Sequence, residues 1–396
     1  ENIGDPIQKG EKVPRWIKDK VVDLVEDNTS YSYSSTQGDP EVRKFLAKQV
    51  NKRDGEISSD EIIFFNGVGD AISKIYRYLK PEIRVIGPSP AYSTHSSIEA
   101  AHSGSEHLTY KLDPDNKWMP DVEDLRNKVR KNDSIAGILI VNPHNPTGTV
   151  CPPEILKEIV DIARKHHLFI ICDEIYANIV FNSTDTTSLS RAIGDVPGIA
   201  LRGISKEYPW PGARCGWIEV YNRHKYPSFD KYVNALINAR MLEVSSTKLP
   251  QLSIPLIMGD SRYKEHLEQR KKMFKKRAEE AYQIFSNVDG VQVCKPQGAF
   301  YMTILFKPDI LNRYQKLSIE QTRVQEMIES QVNGINLDKR FVYYLLGATG
   351  ICTVPLSGFA SKEHGFRITL LETDNDKRIQ TWNTITKNIR KYLSSS

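Results

Sequence analysis

From Ile62 to Ile204 the chain repeats one pattern, a short apolar run, a turn, and then a stretch with helical periodicity. The apolar runs are Ile62 to Phe65, Ile83 to Gly87, Ala136 to Val141, Leu168 to Cys172 and Ile199 to Ile204. Helical stretches fall between them at Asp70 to Tyr78, Thr94 to Ala101, Val122 to Lys131 and Pro153 to Lys165. Runs this apolar bury both faces of a strand, and strands alternating with helices are joined by crossovers. The pattern therefore predicts an α/β fold built on a mostly parallel sheet covered on both faces. In such sheets ligands bind beyond the carboxyl ends of the strands.

The residues of unusual chemistry cluster at those ends. The first run leads into Asn66-Gly67-Val68-Gly69-Asp70-Ala71, where glycines open a helix whose free amides and dipole can hold a phosphate. The second leads into Gly87-Pro88-Ser89-Pro90-Ala91-Tyr92 and sets an aromatic ring at the rim. After the third, Asn142-Pro143-His144-Asn145-Pro146-Thr147-Gly148 fixes a tight loop that presents Asn145. The fourth ends in Asp173-Glu174-Ile175-Tyr176, and a carboxylate after so apolar a run is costly unless it meets a cation. Each motif alone has a plainer reading as a turn or a packed side chain.

The fifth run delivers Ser205-Lys206, with Pro211-Gly212-Ala213-Arg214-Cys215-Gly216-Trp217 close behind. A lysine among apolar neighbours and near a second cation loses proton affinity and becomes a nucleophile. The plainer alternative is a surface lysine, with Arg214 in a salt bridge. Taken together, the strand ends offer a phosphate cup, a ring stacker, an amide, a carboxylate, a phenol and a nucleophilic lysine. That inventory suits pyridoxal 5'-phosphate, with the carboxylate on the pyridine nitrogen, Asn145 and Tyr176 on the ring hydroxyl, and Lys206 on the aldehyde carbon.

On these motifs the chain resembles the fold-type I pyridoxal-phosphate aminotransferases of the aspartate aminotransferase superfamily, from Asn2 to near the C-terminus. Asn145-Pro146-Thr147-Gly148, Asp173-Glu174-Ile175-Tyr176, Ser205-Lys206 and Pro211 to Trp217 occur in the family's order. The resemblance implies a large cofactor-binding domain over residues 15–275, with a mostly parallel seven-stranded-type sheet between helices. It also implies a smaller α/β domain from residues 1–14 and 276–396. By the same resemblance Lys206 is the Schiff-base lysine and proton shuttle, Asp173 the pyridinium partner, and Asn145 and Tyr176 the groups on the ring oxygen. Tyr92 falls at the stacking position, and Val68, Gly69, Ser205 and Arg214 fall where the family holds the phosphate. Tyr33 corresponds to a tyrosine that reaches the neighbouring subunit's cofactor, which implies a homodimer. Gly4, Asn145 and Arg367 correspond to substrate contacts, with Arg367 on the α-carboxylate, where a guanidinium offers two parallel hydrogen bonds. The chain departs from the family at Gly203, where many members carry serine, at Ser93-Thr94 after Tyr92, and at Leu356, where glycine is common.

Composition narrows the remaining choices. Against 49 acidic residues stand 54 basic ones, and a net charge of +5 spread this thinly makes no case for a nucleic-acid partner. The basic clusters of the stretch Ser261 to Phe285 are interleaved with glutamates and predict a solvated helix with internal ion pairs. The five cysteines are scattered, as expected of a reduced, cytoplasmic protein, and no metal is expected. No apolar run reaches membrane-spanning length and no signal peptide is visible, so no membrane partner is expected. The sequence opens at Glu1 without an initiator methionine, and residues before it are expected.

The resulting expectation is transamination between an amino acid and a 2-oxo acid by ping-pong exchange, with Lys206 moving the proton. Thr349 to Pro355 and the opening Asn2-Ile3-Gly4-Asp5-Pro6 are similar to the alanine aminotransferase branch, which makes L-alanine with 2-oxoglutarate the leading pair. Arg240 is a weaker candidate for a side-chain carboxylate. The alternatives are aromatic or aspartate transamination, a carbon–sulfur β-lyase, and a non-enzymatic regulator.

Overall fold

The computed structural model describes residues 2–182 and 187–395. Among them, one sheet is built from β1 (Ile62–Phe65), β2 (Arg84–Ser89), β3 (Thr109–Asp113), β4 (Met119–Pro120), β5 (Ile135–Val141), β6 (Phe169–Asp173), β7 (Gly198–Gly203) and β8 (Gly216–Tyr221). Their order across the sheet is β1-β8-β7-β6-β5-β2-β3-β4. Strands β3, β2, β5, β6 and β7 run parallel, while β8 pairs antiparallel with both β7 and β1. The eighth strand is the two-residue β4, paired antiparallel at the edge with β3.

Three of these strands, β3, the two-residue β4 and β8, are missing from the periodicity reading. In β3 the side chains alternate between buried and exposed, so its signal is diluted by lysine and threonine. In β8 the apolar run is interrupted by Glu219, which is nevertheless buried. Glu219 accepts from Tyr221 Oη at 2.6 Å and meets Arg53 at 3.2 Å, so its charge is compensated inside the sheet.

The helices follow from local chemistry. Asp39 caps the helix Pro40–Asn51 by accepting from the amides of Glu41 and Val42, and Pro40 opens it with a preset φ. Helices Val122–Lys131 and Pro153–Lys165 bury one apolar stripe each against the sheet. A second, antiparallel sheet has the order β11-β12-β10-β9, from β9 (Val291–Val293), β10 (Tyr301–Phe306), β11 (Val354–Pro355) and β12 (Gly365–Thr369). Phe306, Phe341, Phe366, Trp382 and Tyr392 form the core between this sheet and helices Leu337–Thr349 and Asn375–Ser394.

The long helix Arg262–Ser286 corrects the expectation of a solvated charged face. Lys271–Glu268 and Lys276–Glu280 are surface pairs of that kind. Arg270 and Arg277, however, are buried: Arg277 donates to the carbonyls of Leu370 and Leu371, and Arg270 is tied to Glu11. Interleaved glutamates cannot tell a surface cation from one satisfied by distant backbone oxygens. Among the described residues no helix is long and apolar enough to cross a membrane.

Candidate active site

The carboxyl ends of β5, β6 and β7 open into a cavity of about 410 Å³ whose lining includes Asn145, Asp173, Tyr176, Ser205 and Lys206. Among the described residues Lys206 is the one lysine that lines it; it reaches the cavity from the turn after β7 and donates from Nζ to the carbonyl of Gly4 at 2.7 Å.

 Burial of this amine holds its pKa down to about 8, with Arg367 and Arg214 adding to the depression and Asp5 opposing it. The backbone behind it is fixed by Arg270, whose Nη1 donates to the carbonyls of Lys206 at 2.5 Å and Glu207 at 3.2 Å. The same guanidinium binds Glu11 from Nε at 2.6 Å, so one buried cation ties the N-terminal segment to the lysine turn.

At the end of β6, Asp173 is buried and accepts from the amide of Ile175 at 3.1 Å. Its other oxygen lies 3.0 Å from Nε2 of His95, a fully buried residue that the sequence reading passed over. The available signal was its place in the first turn after Tyr92, on the helix Ser93–Ser103. Tyr92 itself lines the cavity, as does the turn at Val68 and Gly69 that opens the helix Val68–Arg77.

The chemistry of this donor set fits the phosphate and ring of pyridoxal phosphate. Val68, Gly69, Ser205 and Arg214 bring amides, a hydroxyl and a guanidinium to the cavity lining, a set suited to an anion. Gly67 has φ 91°, and a Cβ there would lie 2.4 Å from Nη2 of Arg214, so only glycine leaves the guanidinium its place. The buried carboxylate of Asp173 lines the same cavity and is the group suited to a protonated ring nitrogen.

Arg367 lies in the middle of β12 and is buried. Its Nη1 donates to Oδ1 of Asn145 at 3.0 Å, and its Nη2 donates to the carbonyl of Asn2. The guanidinium lies 4.3 Å over the ring of Tyr301 and 5.1 Å over that of Phe359. Tyr301, also absent from the sequence reading, places its Oη 3.0 Å from that of Tyr176.

The family model for aminotransferases of class I and II matches residues 2–380. The chain belongs to this family. It is a pyridoxal-phosphate-dependent transaminase. Over all 396 residues it is 52% identical to an uncharacterised aminotransferase of Methanocaldococcus jannaschii, covering 100% of this chain and 92% of that one. It is 29% identical to the glutamate-pyruvate aminotransferase AlaA of Escherichia coli, over 76% of this chain and 73% of that protein. Its fold is similar to that of an alanine aminotransferase from Pyrococcus furiosus, with a TM-score of 0.82, 23% identity and coverage of 100% and 91%.

Of the residues expected at the site of this transaminase, Gly4, Val68, Gly69, Tyr92, Asn145, Asp173, Tyr176, Ser205, Lys206, Arg214 and Arg367 all line the one cavity. Tyr33 does not line it and is 81% exposed. Arg240 is a correction: it is fully buried, pairs with Glu243 and Asp70, and lies 5.2 Å over Phe65, away from the cavity. Helical spacing cannot reveal that a cation already has buried partners.

Proposed function

We propose that this transaminase takes its amino group from L-alanine and passes it to 2-oxoglutarate. One observation carries the choice of donor. Among the described residues, the cations lining the cavity are Lys206, Arg214 and Arg367, while Ile3, Val354 and Phe359 give its wall apolar surface. With Arg214 on the phosphate and Arg367 on the α-carboxylate, the donor's side chain meets no free cation from this chain, which favours a small apolar one. The naming of the E. coli relative as a glutamate-pyruvate aminotransferase supports the same pair.

When bound, the cofactor supplies an electron sink for the bond that breaks at Cα. Asp173, held by His95 and the Ile175 amide, would keep the ring nitrogen protonated. Asn145 and Tyr176 would hold the ring oxygen, Tyr92 would pack on the ring, and Val68, Gly69, Ser205 and Arg214 would hold the phosphate. Arg367 and Asn145 would orient the substrate carboxylate, with the backbone at Gly4 lining the same side of the cavity. Lys206 would hold the cofactor by its aldehyde carbon, and its amine is the group placed to take and return the proton of the substrate Cα. A pKa near 8 leaves a useful fraction of that amine neutral at physiological pH.

The working unit is a homodimer in the cytoplasm. Val22, Val25, Tyr31, Tyr33, Met241, Leu242 and Val244 are exposed apolar side chains, and such surface favours coverage by a second copy. Tyr33 would reach the neighbouring cofactor's phosphate, and the acceptor's second carboxylate is left to groups of the partner subunit.

The test is an absorption spectrum of the holoprotein before and after excess L-alanine, with no acceptor present. The expected outcome is conversion of the cofactor band to the pyridoxamine form, with pyruvate released once per site. A band indifferent to alanine removes alanine as donor, and continuing release of pyruvate and ammonia makes the protein an elimination enzyme. Near-normal turnover by Lys206→Ala would remove the assignment of the lysine.

A further inference from the structure

We infer that Tyr301 is a positioning residue that sets the proton of Tyr176, and through it the charge state of the bound cofactor. The inference rests on the reading above in which Tyr176 touches the cofactor's ring oxygen.

The two phenols lie 3.0 Å apart, Oη to Oη, and both are buried. A phenol has one proton to give and can also accept, so in such a pair one member donates and the other keeps its own proton for a further partner. Which one donates follows from their surroundings. The Arg367 guanidinium stands 4.3 Å over the Tyr301 ring, close enough for a cation–π contact, and a cation there makes the phenol beneath it the better donor. Burial raises both phenols above the ordinary value, and Tyr176 is raised well above it. Tyr301 is therefore the stronger acid of the two and donates to Tyr176.

The geometry also excludes competitors for the Tyr301 hydroxyl. Gly4 lies against it so closely that a Cβ at that position would fall 2.0 Å from Oη. Sealed on that side, the Tyr301 hydroxyl is left facing Tyr176. Tyr176 then has its proton free for the ring oxygen, and accepting one hydrogen bond strengthens the one it gives. A hydrogen bond into that oxygen favours its anionic form, so it lowers the pH at which the bound cofactor gives up the proton it holds. Arg367, which holds the substrate carboxylate in the reading above, thus acts on the cofactor through Tyr301 and Tyr176.

The experiment is a pH titration of the visible spectrum of the holoprotein in four forms: wild type, Tyr301→Phe, Tyr176→Phe and the double variant. Tyr301→Phe keeps the ring under Arg367 and removes only the hydroxyl. Its midpoint is expected to rise by about half a unit to one unit, the scale of one hydrogen bond. Tyr176→Phe should raise it further. The double variant should match Tyr176→Phe alone, because Tyr301 acts only through Tyr176. An unchanged or lowered midpoint in Tyr301→Phe overturns the inference, as do shifts that simply add in the double variant. If Tyr176→Phe itself leaves the midpoint in place, the contact of Tyr176 with the ring oxygen is what fails. Cofactor affinity measured on the same four proteins gives a readout independent of turnover, with the same non-additive pattern expected.

Discussion

The amine of Lys206 donates to the carbonyl of Gly4 at 2.7 Å, joining the turn after β7 to the N-terminal segment across 202 positions of sequence. Within that segment the Asn2 and Gly4 carbonyls bind Arg367 and Lys206, the Lys9 carbonyl accepts from Thr373, and Glu11 pairs with Arg270. It forms one wall of the cavity, so changes in it are expected to act on chemistry.

The first prediction concerns the lysine's reactivity with pH. An amine with a pKa near 8 is about one-tenth neutral at pH 7, against about one part in 3,000 for an ordinary lysine. In the cofactor-free protein, labelling of Lys206 by an amine-reactive reagent should rise with pH and level off above about 8. Peptide mapping after timed labelling reads this directly, and a rate still climbing steeply beyond pH 9 contradicts it. Because the unfolded chain keeps this proton up to the ordinary lysine value and the folded chain does not, the group's contribution to stability rises with pH across that window.

Gly4→Ala should damage activity without touching any charged group. The added Cβ would lie 2.0 Å from Tyr301 Oη, so the segment has to move and the carbonyl on Lys206 moves with it. A displacement of this kind is expected to cost about 10- to 100-fold in kcat/KM. Measured against Tyr301→Phe as background, the same substitution should cost less, because the clashing oxygen is gone. Equal losses in both backgrounds would place the damage elsewhere.

Arg270→Gln separates structure from chemistry at the lysine turn. It leaves Glu11 without its buried partner, which is expected to cost about 3 kcal/mol of stability in denaturant unfolding. It also frees the Lys206 and Glu207 carbonyls, so turnover should fall even at temperatures where the protein stays folded. Full kcat in a folded variant would show that the turn needs no such tether.

Arg367→Lys keeps the charge and removes the planar fork. The lost second hydrogen bond to a carboxylate should raise KM by about 10- to 100-fold. Amino acid and oxo acid both carry the α-carboxylate, so both half-reactions should suffer alike in stopped-flow traces. A loss confined to one half-reaction would mean that Arg367 binds something else.

The legible part of the site is the part that sits on strand ends. Asn145, Asp173, Tyr176 and Lys206 each follow an apolar run directly, and a parallel sheet gathers such ends at one edge whatever the details of packing. His95 and Tyr301 were passed over because their meaning lies in partners 78 and 125 positions away, at Asp173 and Tyr176. Local pattern carries no trace of such pairings. Arg240 misled for the same reason in reverse, since its partners Glu243 and Asp70 and its burial against Phe65 remove it from the surface and from the cavity.

The sequence by itself determined the alternation of strands and helices and the order in which reactive side chains arrive at the sheet edge. Both follow from periodicity and from glycine and proline, which act within a few residues of one another. Only the tertiary structure decided which charges are buried and against what, how the N-terminal segment closes on Lys206, and that a second phenol lies against Tyr176. Those relations depend on segments far apart in the chain meeting at hydrogen-bonding distance, and burial there multiplies the strength of each contact because water is no longer present to compete.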